Sequence, residues 1–134
     1  MSLKNTYFIL SRPQLGENIG SAARALKNFN ISNLRIVKPR CTWPNKKAEI
    51  TSVGAKNILH TAKIYKSIDE SIGDLDIVFA STSRIRKINK KVISITEFTK
   101  KIVNNKKIGV IFGPEASGLS NNELCCADYL VKIP

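Results

Sequence analysis

Residues Val110–Glu123 read VIFGPEASGLSNNE, a stretch that holds a whole strand–turn–helix unit. The apolar run ending at Phe112 is a buried strand, and Gly113-Pro114 turns the chain directly after it. Ser120 followed by Glu123 matches the S-x-x-E capping box, so a helix begins there. Glu123 thereby has a structural task and is assigned no chemistry. Glu115 is different. Asn or Asp would serve better in a loop that only turned the chain, so a glutamate at this point asks for another role.

Working outward, the same alternation recurs along the chain. Strands are expected at Tyr7–Leu10, Leu34–Val37, Ala62–Tyr65, Ile77–Ser81, Ile108–Phe112 and Tyr129–Ile133. Helices are expected at Ile19–Phe29, Lys46–Leu59, Ser67–Ile72, Thr96–Asn104 and Ser120–Cys126. Short strands alternating with helices imply an α/β fold: a mostly parallel sheet with helices on both faces. Ligands of such sheets gather beyond the carboxyl ends of the strands. The segments to inspect are therefore Ser11–Asn18, Ser81–Arg86, Gly113–Leu119 and whatever follows Ile133.

A chain of 134 residues with 43% hydrophobic content makes one domain with a single core. No apolar run approaches the ~18 residues of a membrane span, and residues 1–20 lack a signal-peptide core. Cys41, Cys125 and Cys126 suit neither a disulfide framework nor a zinc site, which points to a reducing cytoplasm. The adjacent pair is expected to pack along a helix. Twenty-two Lys and Arg against ten Asp and Glu leave a net charge of +12. An excess of that size suits a polyanion, nucleic acid before membrane. The chain is also rich in Lys, Asn and Ile together, which a biased codon supply alone would produce. Clustering argues for RNA: RIRKINKK, residues 84–91, holds five basic residues and no acid. Arg84, Arg86, Lys87, Lys90 and Lys91 are the candidate RNA contacts.

Several chemistries are missing. His60 is the single histidine and lies at the end of an expected helix, so a Ser-His-Asp or Cys-His site has no other base. No cluster of metal ligands occurs, and neither G-x-x-x-x-G-K-[ST] nor G-x-G-x-x-G is present. Such a chain suits chemistry whose reactive group arrives on a cofactor. The loop and helix SRPQLGENIGSAARALKNFN, from Ser11, offer Asn18 as a helix N-cap. At 100° per residue Ile19, Ala22, Ala23, Ala25, Leu26 and Phe29 form one apolar face. Arg24 lies opposite, beside Gly20, Ser21 and Asn28. Gly20 costs the helix stability that alanine would keep. Its presence implies a surface that another backbone, or a substrate, approaches closely.

GENIGSAARALKNF followed by LRIVKP resembles the first motif of the SpoU branch of the SPOUT RNA methyltransferases. FGPEASGLSNNEL resembles their second motif, and LVKIP the opening of the third. VFASTSRIRK sits where the TrmJ-type tRNA/rRNA 2′-O-methyltransferases carry a small hydroxyl-rich segment after a strand. Three ordered motifs in register make the likeness specific. It implies a carboxyl-terminal trefoil knot, S-adenosyl-L-methionine held by the knot loops, and two subunits that pair as a homodimer to complete the site. By position the cofactor loops are Ser81, Thr82, Ser83, Gly113, Gly118 and Ile133. The two glycines are expected to let main chain approach the cofactor, so that Gly113→Val would remove binding and leave the fold intact. Arg24 is the expected catalytic cation, stabilising a ribose 2′-oxyanion or gripping the adjacent phosphate, because a guanidinium stays protonated. Glu115 is expected to orient Arg24 or Asn18 across the site or between subunits. The substrate implied is tRNA or rRNA, with a pyrimidine of the tRNA anticodon loop as target, and no metal is expected.

Three departures qualify the likeness, the mildest being that Ser81-Thr82-Ser83 replaces the usual Thr-Ser-Ala order. Gly16-Glu17 replaces a common Pro-Gly, and relatives continue past the position of Pro134 with a Ser-Leu-Asn-type segment and a helix. The expectation is a truncated third motif, hence weak or absent cofactor binding and no methyl transfer by these 134 residues. A non-catalytic RNA-binding module and a different α/β nucleotide binder remain open alternatives.

Overall fold

The computed structural model describes residues 3–83, 88–103 and 105–133. In chain order the elements are β1 (Thr6–Ser11), α1 (Gly16–Asn28), β2 (Asn33–Val37), α2 (Lys46–Thr51), α3 (Lys56–Thr61) and β3 (Lys63–Tyr65). There follow α4 (Ile68–Ile72), β4 (Ile77–Thr82), β5 (Lys91–Ile93), α5 (Ile95–Lys101), β6 (Ile108–Phe112), α6 (Asn121–Leu124) and β7 (Tyr129–Lys132). The strands make one seven-stranded sheet in the order β3-β2-β1-β6-β4-β7-β5. Every described pairing is parallel. The α/β reading of the sequence is thus borne out.

Strand periodicity puts alternate residues on opposite faces, and both faces are covered. Val78 and Ala80 of β4 join Ile9, Ile111, Ile68 and Leu124 in a core under α4 and α6. Phe79, between them in sequence, packs instead with Ile93, Ile108, Val131 and the partly buried Phe98 of α5. Over β1 and β2, Leu34 and Ile36 meet Ile19, Ala23 and Leu26 of α1 and Ile58 and Leu59 of α3. The order of strands sets the site. The chain moves outward from β1 to β2 to β3, restarts at β4, and then inserts β6 between β1 and β4. That reversal is a topological switch point, where a crevice opens at the carboxyl ends.

Four expectations about elements need correction. The helix expected over Lys46–Leu59 is two helices, because Gly54 takes a left-handed conformation at φ 78° and breaks the run. Asn18 is not an N-cap: α1 begins at Gly16 with Leu15 as the cap. The strand β5 was not expected, since Lys91-Val92-Ile93 carries no readable alternation. It exists by pairing with β7 at the sheet edge. Lastly, α6 ends at Leu124, so only Cys126 packs on the core, while Cys125 is exposed. No described helix is long and apolar enough to cross a membrane.

Candidate active site

Three loops at the carboxyl ends of β4, β6 and β7 enclose a cavity of about 640 Å³. Its walls are Ser81–Ser83, the run Phe112–Leu119 and Ile133. Ser81, Thr82, Ser83, Gly113, Gly118 and Ile133, far apart in sequence, are therefore brought together. The lining mixes hydroxyls and main chain with Phe112, Leu119 and Ile133, which suits a ligand with an aromatic base and a polar tail. Ser81 Oγ already donates to the Ile111 carbonyl at 3.2 Å, so its hydroxyl is partly spent on holding the loop.

The loop itself requires both glycines, whatever approaches them from the cavity. A Cβ on Gly113 would lie 2.4 Å from the Leu119 nitrogen and 2.5 Å from the Gly118 carbonyl carbon. Those are main-chain atoms of the same loop, so Gly113→Val distorts the loop itself and gives no clean test of cofactor space. Gly118 has open space around its missing Cβ but adopts φ 68°, where a side chain is strained. Gly20 is likewise resolved in favour of a backbone neighbour. A Cβ there would meet the Ala48 carbonyl oxygen at 2.3 Å and Thr51 Oγ1 at 2.0 Å, so of the two expected visitors, another backbone or a substrate, it is the backbone of α2 that comes close.

Glu115 turns out to be a tertiary helix cap. Its carboxylate accepts from the Gln14 N–H at 3.2 Å and the Leu15 N–H at 3.1 Å. Leu15 opens α1 without a capping side chain of its own. The acid from the second loop supplies the missing acceptor and sits at the positive end of the helix dipole. Gln14 answers by accepting from the Ala116 N–H at 3.3 Å. This two-way clamp ties the cavity wall to the entry of α1. Within the chain it stands where a contact of Glu115 with Arg24 or Asn18 was expected, and Asn18 and Glu115 line the same apolar groove of about 320 Å³.

Glu123 completes the expected capping box with Ser120, and its carboxylate also accepts from Ser11 Oγ, Arg12 Nη2 and, at 3.1 Å, Arg12 Nε. Burial pushes this carboxyl up, but the hydrogen bonds from Arg12, Ser11 and Ser120 outweigh it and hold it at about 2. The same contact raises the Arg12 guanidinium. Ser11, Arg12 and Gln14 were not singled out from the sequence. The one available signal was their position, directly after the first strand in a loop flagged for inspection.

Arg24 is exposed on α1, outside the cavity and without a side-chain partner among the described residues. Lys91 is exposed on β5 and Lys90 precedes it, half-buried. Arg84, Arg86 and Lys87 lie outside the described residues.

The model of the SpoU rRNA Methylase family matches residues 5–134. The chain belongs to that family. Within it, the tRNA (cytidine-2′-O-)-methyltransferase TrmJ of Methanocaldococcus jannaschii is 42% identical over 130 residues. The aligned region covers 94% of this chain and 56% of that protein, so the chain spans about half the length of the curated relatives it matches. The crystal structure of TrmJ from Z. mobilis ZM4 superposes with a TM-score of 0.92 at 38% identity, over 96% of this chain and 58% of that one. The SpoU methyltransferase AviRb from Streptomyces viridochromogenes, solved in complex with the cofactor AdoMet, covers the whole chain with half of its own length. Its TM-score is 0.70 at 17% identity, a likeness of fold. The SpoU resemblance carried by the three motifs is borne out, with TrmJ-type proteins among its relatives.

Proposed function

We propose that the chain is the catalytic domain of an RNA 2′-O-methyltransferase that uses S-adenosyl-L-methionine on tRNA or rRNA. A pyrimidine ribose of the tRNA anticodon loop is the intended target. The observation that carries this reading is the single cavity that unites Ser81–Ser83, Phe112–Leu119 and Ile133 at the switch point of a SpoU-family sheet. The M. jannaschii relative, named for cytidine 2′-O-methylation of tRNA, supports the substrate class. When bound, the cofactor supplies an activated methyl group. This chain's residues then have to hold it, bring a 2′-hydroxyl into line and stabilise the oxygen as its proton leaves. Ser81–Ser83 and the main chain of Gly113–Leu119 hold the cofactor. Glu115 and Gln14 lock that wall to α1.

Arg24 is the cation for the developing oxyanion. It is exposed, has no side-chain partner among the described residues, and lies outside the cavity of its own chain, so a second copy delivers it, consistent with a homodimer. The apolar groove lined by Phe8, Ala22, Ala25 and Phe112 is the surface this pairing would cover. The trefoil knot implied by the family belongs to the same reading. The test is methyl transfer to an unmodified tRNA transcript with the product nucleoside mapped. Arg24→Ala is expected to cut turnover by roughly 10²–10³-fold, the usual loss for one oxyanion partner, while cofactor affinity stays within twofold. Full turnover by that variant removes Arg24 from the mechanism. RNA binding with no cofactor binding makes the domain a non-catalytic RNA module.

A further inference from the structure

The carboxyl ends of β1, β2 and β3 carry a feature that no single segment of sequence reveals. In register, Ser11 pairs with Val37, and Val37 pairs with Tyr65. The next residue on each strand is a cation: Arg12, Lys38 and Lys66. Adjacent strands lie about 4.8 Å apart, so the row spans ~10 Å at its backbone. On the far side of β1, Leu10 pairs with Phe112, the residue at which the cofactor cavity begins. The row therefore runs up to the cavity along one edge of the sheet.

Backbone conformation singles out the central member. Among the described residues, three non-glycine positions have positive φ: Arg12 at 50°, Asn30 at 58° and Lys38 at 44°. Asn30 follows α1, where asparagine commonly takes the left-handed form. Arg12 is fixed there by its fork onto Glu123. Lys38 has no such tie. Its N–H donates to the Tyr65 carbonyl at 3.1 Å, while its exposed side chain has no partner among the described residues. A lysine kept where glycine would be unstrained marks a side chain held for use. Lys66 is exposed as well. Nearby carboxylates already have partners. Glu123 holds Arg12, Glu70 accepts the Lys66 N–H at 3.2 Å, and Asp69 lies against Cys126 Sγ. Arg12 and Lys38 share a cavity of about 350 Å³ with Asp69 on its α4 wall.

We infer that Arg12, Lys38 and Lys66 form a track for the phosphodiester backbone of the RNA, leading its ribose to the cofactor cavity. The track rests on the RNA-methyltransferase reading and lies toward the opposite edge of the sheet from Lys90 and Lys91. The test is a salt series of binding to an unmodified tRNA transcript by the wild-type chain, Lys38→Gly, Lys66→Ala, the double variant and Lys38→Arg. Each lost phosphate contact flattens the slope of log K against log salt by about 0.7–0.9, which is roughly tenfold in affinity at 50 mM salt. Lys38→Gly should melt no lower than wild type because it relieves the positive φ, and Lys38→Arg should keep the wild-type slope. A wild-type slope in the double variant overturns the track while leaving the RNA reading in place. A lower melting temperature in Lys38→Gly also overturns it, since the lysine would then be structural. No salt-dependent tRNA binding by the wild-type chain removes both.

Discussion

Two arginine–carboxylate forks in this domain use the same chemistry for different ends. On β2, Arg35 is buried, meets Asp74 at 2.7 and 2.9 Å, and donates to the Ser71 carbonyl at 2.6 Å. Its guanidinium lies 4.3 Å from the Tyr7 ring centre and 5.5 Å from that of Tyr65. This fork fastens the end of α4 to the sheet, between residues only 39 apart in sequence. The other joins Arg12 to Glu123 across 111 residues, and through Glu123 it also holds Ser11 and the start of α6. The first secures a helix. The second secures the relation between the two loops that meet beside the cavity, so it positions the site as well as the fold.

Breaking the forks one at a time should separate these roles. Glu123→Ala is expected to have the larger effect, because it strands Arg12 and Ser11 and removes the carboxylate half of the α6 capping box together. A loss of about 3 kcal/mol is expected from a charged hydrogen bond plus a cap, read as a shifted denaturation midpoint. Cofactor affinity should fall with it, since Leu119 and Ser120 adjoin the cavity wall. Asp74→Ala should cost less, about 2 kcal/mol, because Asp74 is half exposed and the buried Arg35 keeps the Ser71 carbonyl and the Tyr7 ring. Its cofactor affinity should match wild type in a calorimetric titration. Equal losses of affinity in the two variants would erase the distinction between the forks.

The smallest effect is that of acid. Hydrogen bonds from Arg35 draw the Asp74 carboxyl down to about 2, against a weaker push from burial, and Glu123 also stands at about 2. Both lie below their ordinary values of 3.8 and 4.5. Stability from each fork is therefore complete above those ordinary values and is lost as pH falls through them toward about 2. Denaturation midpoints of wild type should drop between neutral pH and pH 3. The Glu123→Ala variant should show a shallower drop over the same window. An unchanged pH dependence in that variant would show that the Glu123 fork adds nothing in acid.

Much of this was legible in the chain itself. Local patterning is a short-range property, and strand alternation, the Ser120 cap and the small-residue loops all follow from nearest neighbours. Those features give the α/β class and the members of the cavity wall. The three motifs gave the family. The reading failed where the deciding partner was distant. Nothing in Lys91-Val92-Ile93 marks a strand until β7 lies beside it. Gly113 is required by its own loop folding back at Gly118–Leu119, and Gly20 by the approach of α2.

Glu115 shows the division most plainly. The sequence established that a glutamate in a glycine turn needed a reason, because turn preference is local and the residue violates it. It could not say that the reason was α1, a helix 100 residues earlier that opens at Leu15 without a cap of its own. That pairing exists only because β6 inserts next to β1, bringing the two loops to one end of the sheet. The cation row of Arg12, Lys38 and Lys66 has the same origin. Each residue is unremarkable in its own segment, and parallel register alone sets the three side by side.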